Sequence, residues 1–507
     1  MTTSRGTRRE ARRLTHGPTL RGASLWRQLG YAAIVGLLGI ALLLSWRVTH
    51  SERDIIALTH ANVVDVEAGA VLPGHTVLIK GSRIQEVGST ATMNLPRGAL
   101  VYDLEGMYVI PGLWDSHVHL TPRSMAATTN FFPLLIANGV TTIRDMGTGL
   151  EPLLHWRREI DAGRIVGPRI FGAGVLLDGA PSVYPGISWE IETVEEARAA
   201  VDSLARSGAD FVKAYEMLAE DVYFAILGQA ALRGLKVATH IPLRVDAIEA
   251  VHGGIQSVEH LRNLEVACSG EADAIRREAD NLISATRLGV GMDLRADIHA
   301  KQWPWAQETF DPRECAGLVT AFAQYKTWHV PTLVIYDNSR TRFHPQFGTW
   351  MNYMPIELQE RWLAAARVED GAPYEPQPHP ANHAWAERMV QELSKAGVRI
   401  LAGTDAPTAF VVPGFSLHQE LQALVGAGLT ALDALRSATL WPAEFFGVRY
   451  SLGSVAAGQT ADLVILRANP LTDIRNTETI EAIVANGRIL SRADLDGMLR
   501  DIAAVLR

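Results

Sequence analysis

The hydrophobic pattern changes character three times along the chain. Residues 28–46 carry no charge, and Tyr31-Ala-Ala-Ile-Val-Gly-Leu-Leu-Gly-Ile-Ala-Leu-Leu-Leu44 is apolar throughout. At 1.5 Å per residue the run reaches roughly 27–28 Å, close to the thickness of a hydrocarbon core. Trp26 and Trp46 stand near its ends, where interfacial aromatics belong. The pattern predicts an uncleaved transmembrane helix over residues 29–46, then a linker over 47–55. A cleaved signal peptide and a buried helix are its rivals. No small-x-small site follows Leu44, where the chain reads Ser-Trp-Arg-Val-Thr-His, and no lipobox cysteine is present.

Beyond the linker, short alternating runs take over. His75-Thr-Val-Leu-Ile79, a Lys-Gly-Ser turn and Arg83-Ile-Gln-Glu-Val87 read as a hairpin. The far end has the same texture: Ala461-Asp-Leu-Val-Ile-Leu466, then Glu481-Ala-Ile-Val-Ala485 with the turn pair Asn486-Gly487. Neither end is long enough for a comfortable sheet alone. The expectation is one small β-sandwich domain composed of residues 56–110 and 449–495, with a C-terminal helix over 496–507.

Between the two ends, residues 111–448 alternate β-like runs with amphipathic helices. Thr193-Val-Glu-Glu196 is a capping box, Val194, Ala197, Val201 and Leu204 share one helical face, and Gly208 is a stop signal. Strand-like runs end near His117, Asp145, Gly174, Lys213, His240, His260, Ile335 and Thr404. Eight strands alternating with helices predict an α/β fold, a (β/α)8 TIM barrel with insertions.

Charge then divides the molecule. The 507 residues hold 47 Lys+Arg and 55 Asp+Glu, a net −8, and 48% are hydrophobic. That excludes a disordered chain and argues against a nucleic-acid partner. Residues 1–30 contain seven Arg (5, 8, 9, 12, 13, 21 and 27) against Glu10, hence +6, which leaves −14 for residues 31–507. Positive-inside orientation puts residues 1–28 in the cytoplasm as a basic head and the body outside it, in the periplasm of a bacterium. The lipid bilayer, met through residues 29–46, is thus one expected partner. Cys268 and Cys315 have no companions at zinc-ligand spacing and form no disulfide framework, so any metal must be held by His and carboxylates.

The chemistry lies at strand ends. In Asp115-Ser-His117-Val-His119 the two histidines, at i and i+2, face one side of a strand and can bind one metal ion. Such a pair alone is more often packing or surface. Lys213 is centred in the apolar run Ala209-Asp-Phe-Val-Lys-Ala-Tyr215, in a chain with 6 Lys and 41 Arg. A buried ion pair or an end-of-strand lysine is the plain reading. A desolvated amine, however, stays partly neutral and can take up carbon dioxide as a two-oxygen carbamate. His240, His260 and Asp405 also close β-like runs. Four His, one Lys and one Asp at the carboxyl ends of barrel strands mark the face where such barrels work.

These segments, Pro111-Gly-Leu-Trp-Asp-Ser-His-Val-His-Leu120, Gly139-Val-Thr-Thr-Ile-Arg-Asp-Met-Gly147, Phe211-Val-Lys-Ala-Tyr215, Ser257-Val-Glu-His260, Ala402-Gly-Thr-Asp-Ala-Pro407 and Gly453-Ser-Val-Ala-Ala-Gly-Gln-Thr-Ala-Asp-Leu-Val464, resemble the amidohydrolase superfamily. The similarity is to its imidazolonepropionase-related and prolidase-like branch, and it spans about residues 56–490. The resemblance implies a composite β domain and two divalent metal ions, usually Zn2+. His117, His119 and Asp405 would hold the more buried ion, His240 and His260 the more exposed one, and a carbamate on Lys213 would bridge them. A bridging hydroxide would attack, and Asp405 would pass its proton to the leaving amine. Lys213 sets the chain apart from single-metal deaminases and favours hydrolysis of an amide, peptide or ester-like bond. Two positions depart from the pattern. Trp441 stands where relatives usually have Asn, and His240 is followed by Ile-Pro-Leu-Arg244 where dipeptidase relatives have a small Gly-containing turn. Dipeptidase specificity is therefore not carried over.

Two insertions, about 261–328 and 337–397, follow strands 6 and 7 and contain or adjoin Trp303, Trp305, Trp328, Trp350, Trp362 and Trp385, with Phe343, Phe347, Tyr353 and Tyr374. They form either their own small cores or an apolar lid. Tyr336 is a candidate oxyanion donor, and Arg244 and Arg262 are candidates for a substrate carboxylate; His418 reads as structural. The function expected is a membrane-anchored, binuclear metal-dependent amidohydrolase acting on a small-molecule or short peptide-like substrate. Its alternatives are a lactonase or esterase on the same centre and a non-catalytic binding protein with a retained barrel; a homo-oligomer is compatible with all three.

Overall fold

The computed structural model describes residues 55–120, 125–286, 291–337, 342–366, 380–408 and 410–506. The basic head, the anchor over 29–46 and nearly all of the linker lie outside them, as does Tyr374. Among the described residues no helix is long and apolar enough to cross a membrane. The chain divides into two compact units, residues 1–55 with 96–100 and residues 56–95 with 101–507. The second unit holds the barrel and nearly all of the sheet.

The two chain ends meet in one sheet. Along one continuous hydrogen-bonded path its strands follow in the order Arg488–Ser491, Ile480–Ala485, Leu463–Leu466, Tyr108–Pro111, Ile55–Asp65, Ala70–Lys80 and Arg83–Ser89. The join is antiparallel, with Leu463 opposite Pro111 and Leu466 opposite Tyr108. Alternation explains the pairing: Leu58, Val63, Val77, Ile79, Val109, Leu463, Ile465 and Val484 point to one side and form a core of their own. At the Asn486-Gly487 turn both residues have positive φ, 49° and 79°, as a tight two-residue hairpin demands.

The barrel strands are Leu113–Val118, Val140–Asp145, Arg169–Gly172 continued by Leu176–Asp178, Phe211–Ala214, Lys236–Thr239, Ser257–Glu259 and Trp328–Val330. Neighbours pair in parallel, for instance Lys213 with Ala238 and Ser257 with Trp328. The third strand breaks at Gly174, φ 76°, and resumes beside Lys213. The eighth position is held by the irregular segment 399–406. It bridges to the seventh strand at His329–Ile400 and to the first at Val118–Ala406, and so closes the ring. The seventh strand ends at Val330, not near Ile335. Pro331 cannot donate to a ladder, Thr332 turns left-handed at φ 50°, and Ile335 and Tyr336 fall on the short helix Leu333–Tyr336.

The helix Val194–Ser207 opens on the Thr193–Glu196 capping box and stops at Gly208, φ 89°, burying Ala197, Val201 and Leu204 against the barrel. The first insertion carries helices Leu264–Ala267, Ala272–Ala285, Gly291–Glu308 and Pro312–Tyr325. Cys268 and Cys315, which sequence reading left unpaired, form a disulfide that ties the end of the first of these helices to the last. The tryptophans of the second insertion serve packing. Trp350 and Trp362 are buried with Phe131, Phe410 and Ile502, and Trp385 meets Trp303 edge to face at 5.5 Å.

Candidate active site

His117 lies on the first strand, fully buried, and His119 sits one residue beyond the strand's end, less deeply. Asp405 reaches them from the closing segment: its Oδ1 is 3.4 Å from His117 Nε2 and 3.2 Å from His119 Nε2. The ligating atoms of these three residues all fall within 4.8 Å of one another, and they are the group of His, Cys, Asp and Glu that meets this test among the described residues. Asp405 and His260 have φ of 62° and 55°, left-handed for residues with a Cβ. Each such conformation costs on the order of 1–3 kcal/mol, strain that the surrounding barrel must hold and that aims the side chain into the mouth.

His240 and His260 follow the fifth and sixth strands directly, with ring centroids 4.8 Å apart. The His260 ring is 4.3 Å from that of His117, so the imidazoles form a continuous arc. Lys213 stands in the fourth strand, fully buried. Its Nζ has no hydrogen-bond partner among the described residues and lies 5.8 Å from the Tyr215 ring centroid. Burial pulls the ammonium down to about 7, so much of it is neutral at neutral pH.

Each of three histidines is oriented through Nδ1. His117 Nδ1–H donates to Glu259 at 2.7 Å, and Glu259 also accepts from Arg144 at 2.7 Å and Ser257 at 2.6 Å. His240 donates to Glu216 at 2.6 Å. His260 donates to the Thr332 hydroxyl at 2.7 Å, whose own proton goes to the Pro331 carbonyl. With Nδ1 spent in this way, the Nε2 lone pairs are the free ones, the arrangement that metal-ligating histidines use. Burial, then the charge of Lys213 or of a neighbouring imidazole, holds all three rings well below the usual histidine range, hence neutral. These donors fit a metal centre.

Sequence reading missed the supporting groups. Glu216, Glu259, Arg144, Asp115 and Thr332 are all buried. Burial pushes Asp115 up to about 7 despite bonds from the Thr404 hydroxyl and from the Thr404 and His117 amides; the two from Thr404 pin the closing segment to the first strand. Burial would also raise Glu216, yet Arg295 and the hydrogen bonds from His240 and His299 hold it well below the carboxylate range. The available signal was a charge inside an apolar run, as in Thr-Ile-Arg144-Asp and Ser-Val-Glu259-His.

The substrate candidates are placed less uniformly. Tyr336 donates its hydroxyl proton to the His260 carbonyl, so that proton is committed within the protein. Arg244 pairs with Asp280 of the insertion at 3.3 Å, turning its charge there. Arg262, part-exposed, lies 4.0 Å from Glu216 beside the histidines. His418 is structural, bonded to Thr477 and to the Asn138 carbonyl.

Gly403 lets the closing segment pass under His117. A Cβ there would sit 2.6 Å from Val330 Cγ1 and 2.8 Å from His117 Cβ. Gly403→Ala is expected to destabilise the protein by about 1–3 kcal/mol through overpacking. Denaturant unfolding with and without added zinc checks this, and an unchanged midpoint contradicts it.

Comparison with known proteins agrees with this geometry. The model of the amidohydrolase family matches residues 108–281 and 386–490. An ochratoxinase of Aspergillus niger is 23% identical over 500 residues, covering 85% of this chain and 86% of its own. The adenine deaminase of Chelativorans sp. (strain BNC1) is 26% identical over 274 residues, 50% of this chain and 40% of its own, so the match spans less than half of that relative. "Adenine deaminase 3" of Rhizobium meliloti (strain 1021) is 34% identical over 80 residues, 16% of this chain and 13% of its own. Among solved structures, a bottromycin amidohydrolase superposes with a TM-score of 0.66 at 22% identity over 89% of this chain and 91% of its own. A Xaa-Pro dipeptidase with bound methionine in the active site gives 0.61 at 20% identity over 86% and 100%. At such identities the structural likeness speaks for the fold.

Proposed function

The chain belongs to the amidohydrolase family, and from that premise we propose that it is a hydrolase of carbon–nitrogen bonds that cleaves an amide or peptide-like bond at a two-metal centre. The ligands in this reading are His117, His119, Lys213, His240, His260 and Asp405. The observation that carries it is Lys213: fully buried, without a hydrogen-bond partner among the described residues, and close enough to shift His117, His240 and His260 by its charge. Its neutral amine would add to carbon dioxide with loss of a proton, and the resulting carbamate would supply an anionic oxygen donor in place of a cation.

Bound by these imidazole and carboxylate donors, two divalent ions, zinc by donor type, would supply Lewis acidity and acidify water to near neutrality. The protein's own groups do the rest. Asp405, whose Oδ1 lies within 3.4 Å of both His117 and His119, takes the proton from the attacking water and returns it to the leaving nitrogen. Arg262 supplies a positive charge at the rim for a substrate carboxylate.

Residues 29–46 anchor the chain in the bilayer in this reading, with the body outside the cytoplasm. The Cys268–Cys315 disulfide supports that side, because such bonds persist in oxidising compartments. A reporter fused after His60 that is active only in the cytoplasm overturns this placement.

Zinc reconstitution is expected to load two ions per chain, and chelation to abolish turnover reversibly. Fewer than one ion per chain after reconstitution defeats the enzyme reading. A panel of N-acyl amino acids, dipeptides and cyclic amides, run beside matched lactones and esters, tests the bond: turnover of oxygen esters with none of any amide contradicts the amide assignment.

A further inference from the structure

The histidines of the site are not supported alike. His117 leans on Glu259, and the partners of Glu259 are Arg144 and Ser257, all on barrel strands and all buried. His260 leans on Thr332, at the end of the seventh strand. His240 leans on Glu216, and the partners of Glu216 come largely from outside the barrel. His299 Nε2 is 2.8 Å from one Glu216 oxygen and Arg295 is 3.4 Å from the other, both on the helix Gly291–Glu308 of the first insertion.

That helix is built to be held there. Leu294, Ile298 and Gln302 recur every four residues, and Ile298 is fully buried in a cluster with Leu176, Val183 and Met217 at the barrel mouth. Arg295 and His299, one position further round, fall on the same side and reach Glu216. At the helix start Gly291 touches the loop after the third strand so closely that a Cβ would lie 2.3 Å from the Ser182 carbonyl oxygen. Arg295 also stands over the Tyr184 ring of that loop, 5.7 Å from its centroid, and 3.3 Å from the Tyr215 hydroxyl. A fully buried carboxylate needs such partners, since an unpaired charge there is strongly unfavourable.

We infer that the first insertion is a working part of the metal centre: His299 and Arg295 are positioning residues that hold Glu216 and, through it, keep His240 turned to ligate the more exposed ion. The inference rests on the two-metal reading. It makes the two sites unequal. The His117, His119 and Asp405 site is supported by the barrel alone, whereas the His240 and His260 site depends on an inserted helix.

The test is competitive titration of the metal-free full chain with Co2+ against a chelator, following the cobalt absorption bands and the bound stoichiometry. Wild type should bind two ions in resolvable steps. His299→Ala should weaken one step by about 10–100-fold, the usual effect of removing a group that orients a ligating histidine, and leave the other step unmoved. His299→Gln, whose side-chain amide can donate from nearly the same place, should recover most of the loss. Thermal melting of each metal-free variant separates positioning from folding, because a folding defect lowers the midpoint and weakens both steps alike, whereas loss of positioning weakens one step only. Unchanged affinity at both steps in His299→Ala overturns the inference. So does an equal weakening of both steps together with a lowered metal-free midpoint. A wild type that binds a single ion defeats the two-metal reading itself, a result distinguishable from either.

Discussion

Lys213→Ala is expected to lower kcat/KM by about a thousandfold or more, on the order of 4 kcal/mol of transition-state stabilisation. The lysine is fully buried with no hydrogen-bond partner for its Nζ among the described residues, so its removal breaks no internal hydrogen bond and chiefly takes away the proposed bridging donor. Lys213→Arg should do no better, because a guanidinium stays charged and cannot form a carbamate. Steady-state kinetics on zinc-reconstituted protein, with intact-mass analysis for one added carbon dioxide, checks both. Full activity in Lys213→Ala, with no carbamate on the wild type, removes the binuclear proposal.

The same lysine makes a stability prediction with a definite sign. Its folded pKa is about 7, against about 10.4 in the unfolded chain. Between these values the unfolded chain binds the extra proton. The metal-free, uncarboxylated protein should therefore gain stability as pH rises from about 7 towards about 10 and lose it as pH falls back. Denaturant midpoints across that range should rise in wild type and rise less in Lys213→Ala; parallel curves contradict the assignment.

Arg144→Leu is expected to cost about 3–5 kcal/mol of stability, the usual result of removing one member of a buried charge pair. The guanidinium is fully buried inside the barrel. It donates to the Ser116 carbonyl at 2.5 Å, to the Ser257 hydroxyl at 3.2 Å and to Glu259 at 2.7 Å, and lies over the Phe211 and Phe445 rings. Leucine restores some volume and leaves Glu259 buried with His117 and Ser257 alone. Metal affinity at His117 should fall in parallel, because Glu259 sets the orientation of that ring. Denaturant unfolding of the metal-free protein measures the first effect, and a loss below about 1 kcal/mol would place the arginine among pairs with little net worth.

The candidate donors were legible in the sequence because strand periodicity and strand ends are local properties. His117 and His119 share a face by their spacing alone, and Lys213 stands out because a lysine interrupts an apolar run in a chain that otherwise uses arginine. The composite sheet was legible in part, since both ends alternate, but which strands touch depends on a join between Leu463 and Pro111 that no local rule supplies. The seventh strand was read too long because Leu333-Val-Ile-Tyr336 is as apolar as a strand. Only the left-handed turn at Thr332 sends it into a helix.

What the sequence determined by itself is where the candidate donors lie: which side chains, on which strands, at which face of the barrel. What the tertiary structure alone decided is how each donor is held. Glu259 is 142 residues from His117, and Thr332 is 72 from His260. Closure of the barrel makes these pairs neighbours, and burial makes their hydrogen bonds strong enough to set which nitrogen of each ring is left free. The inserted helix belongs to the same class. Its apolar period announces a packed face, while the service of Arg295 and His299 to Glu216 appears only when that face meets the barrel mouth, because a hydrogen-bond partner is a fact of distance and not of spacing along the chain.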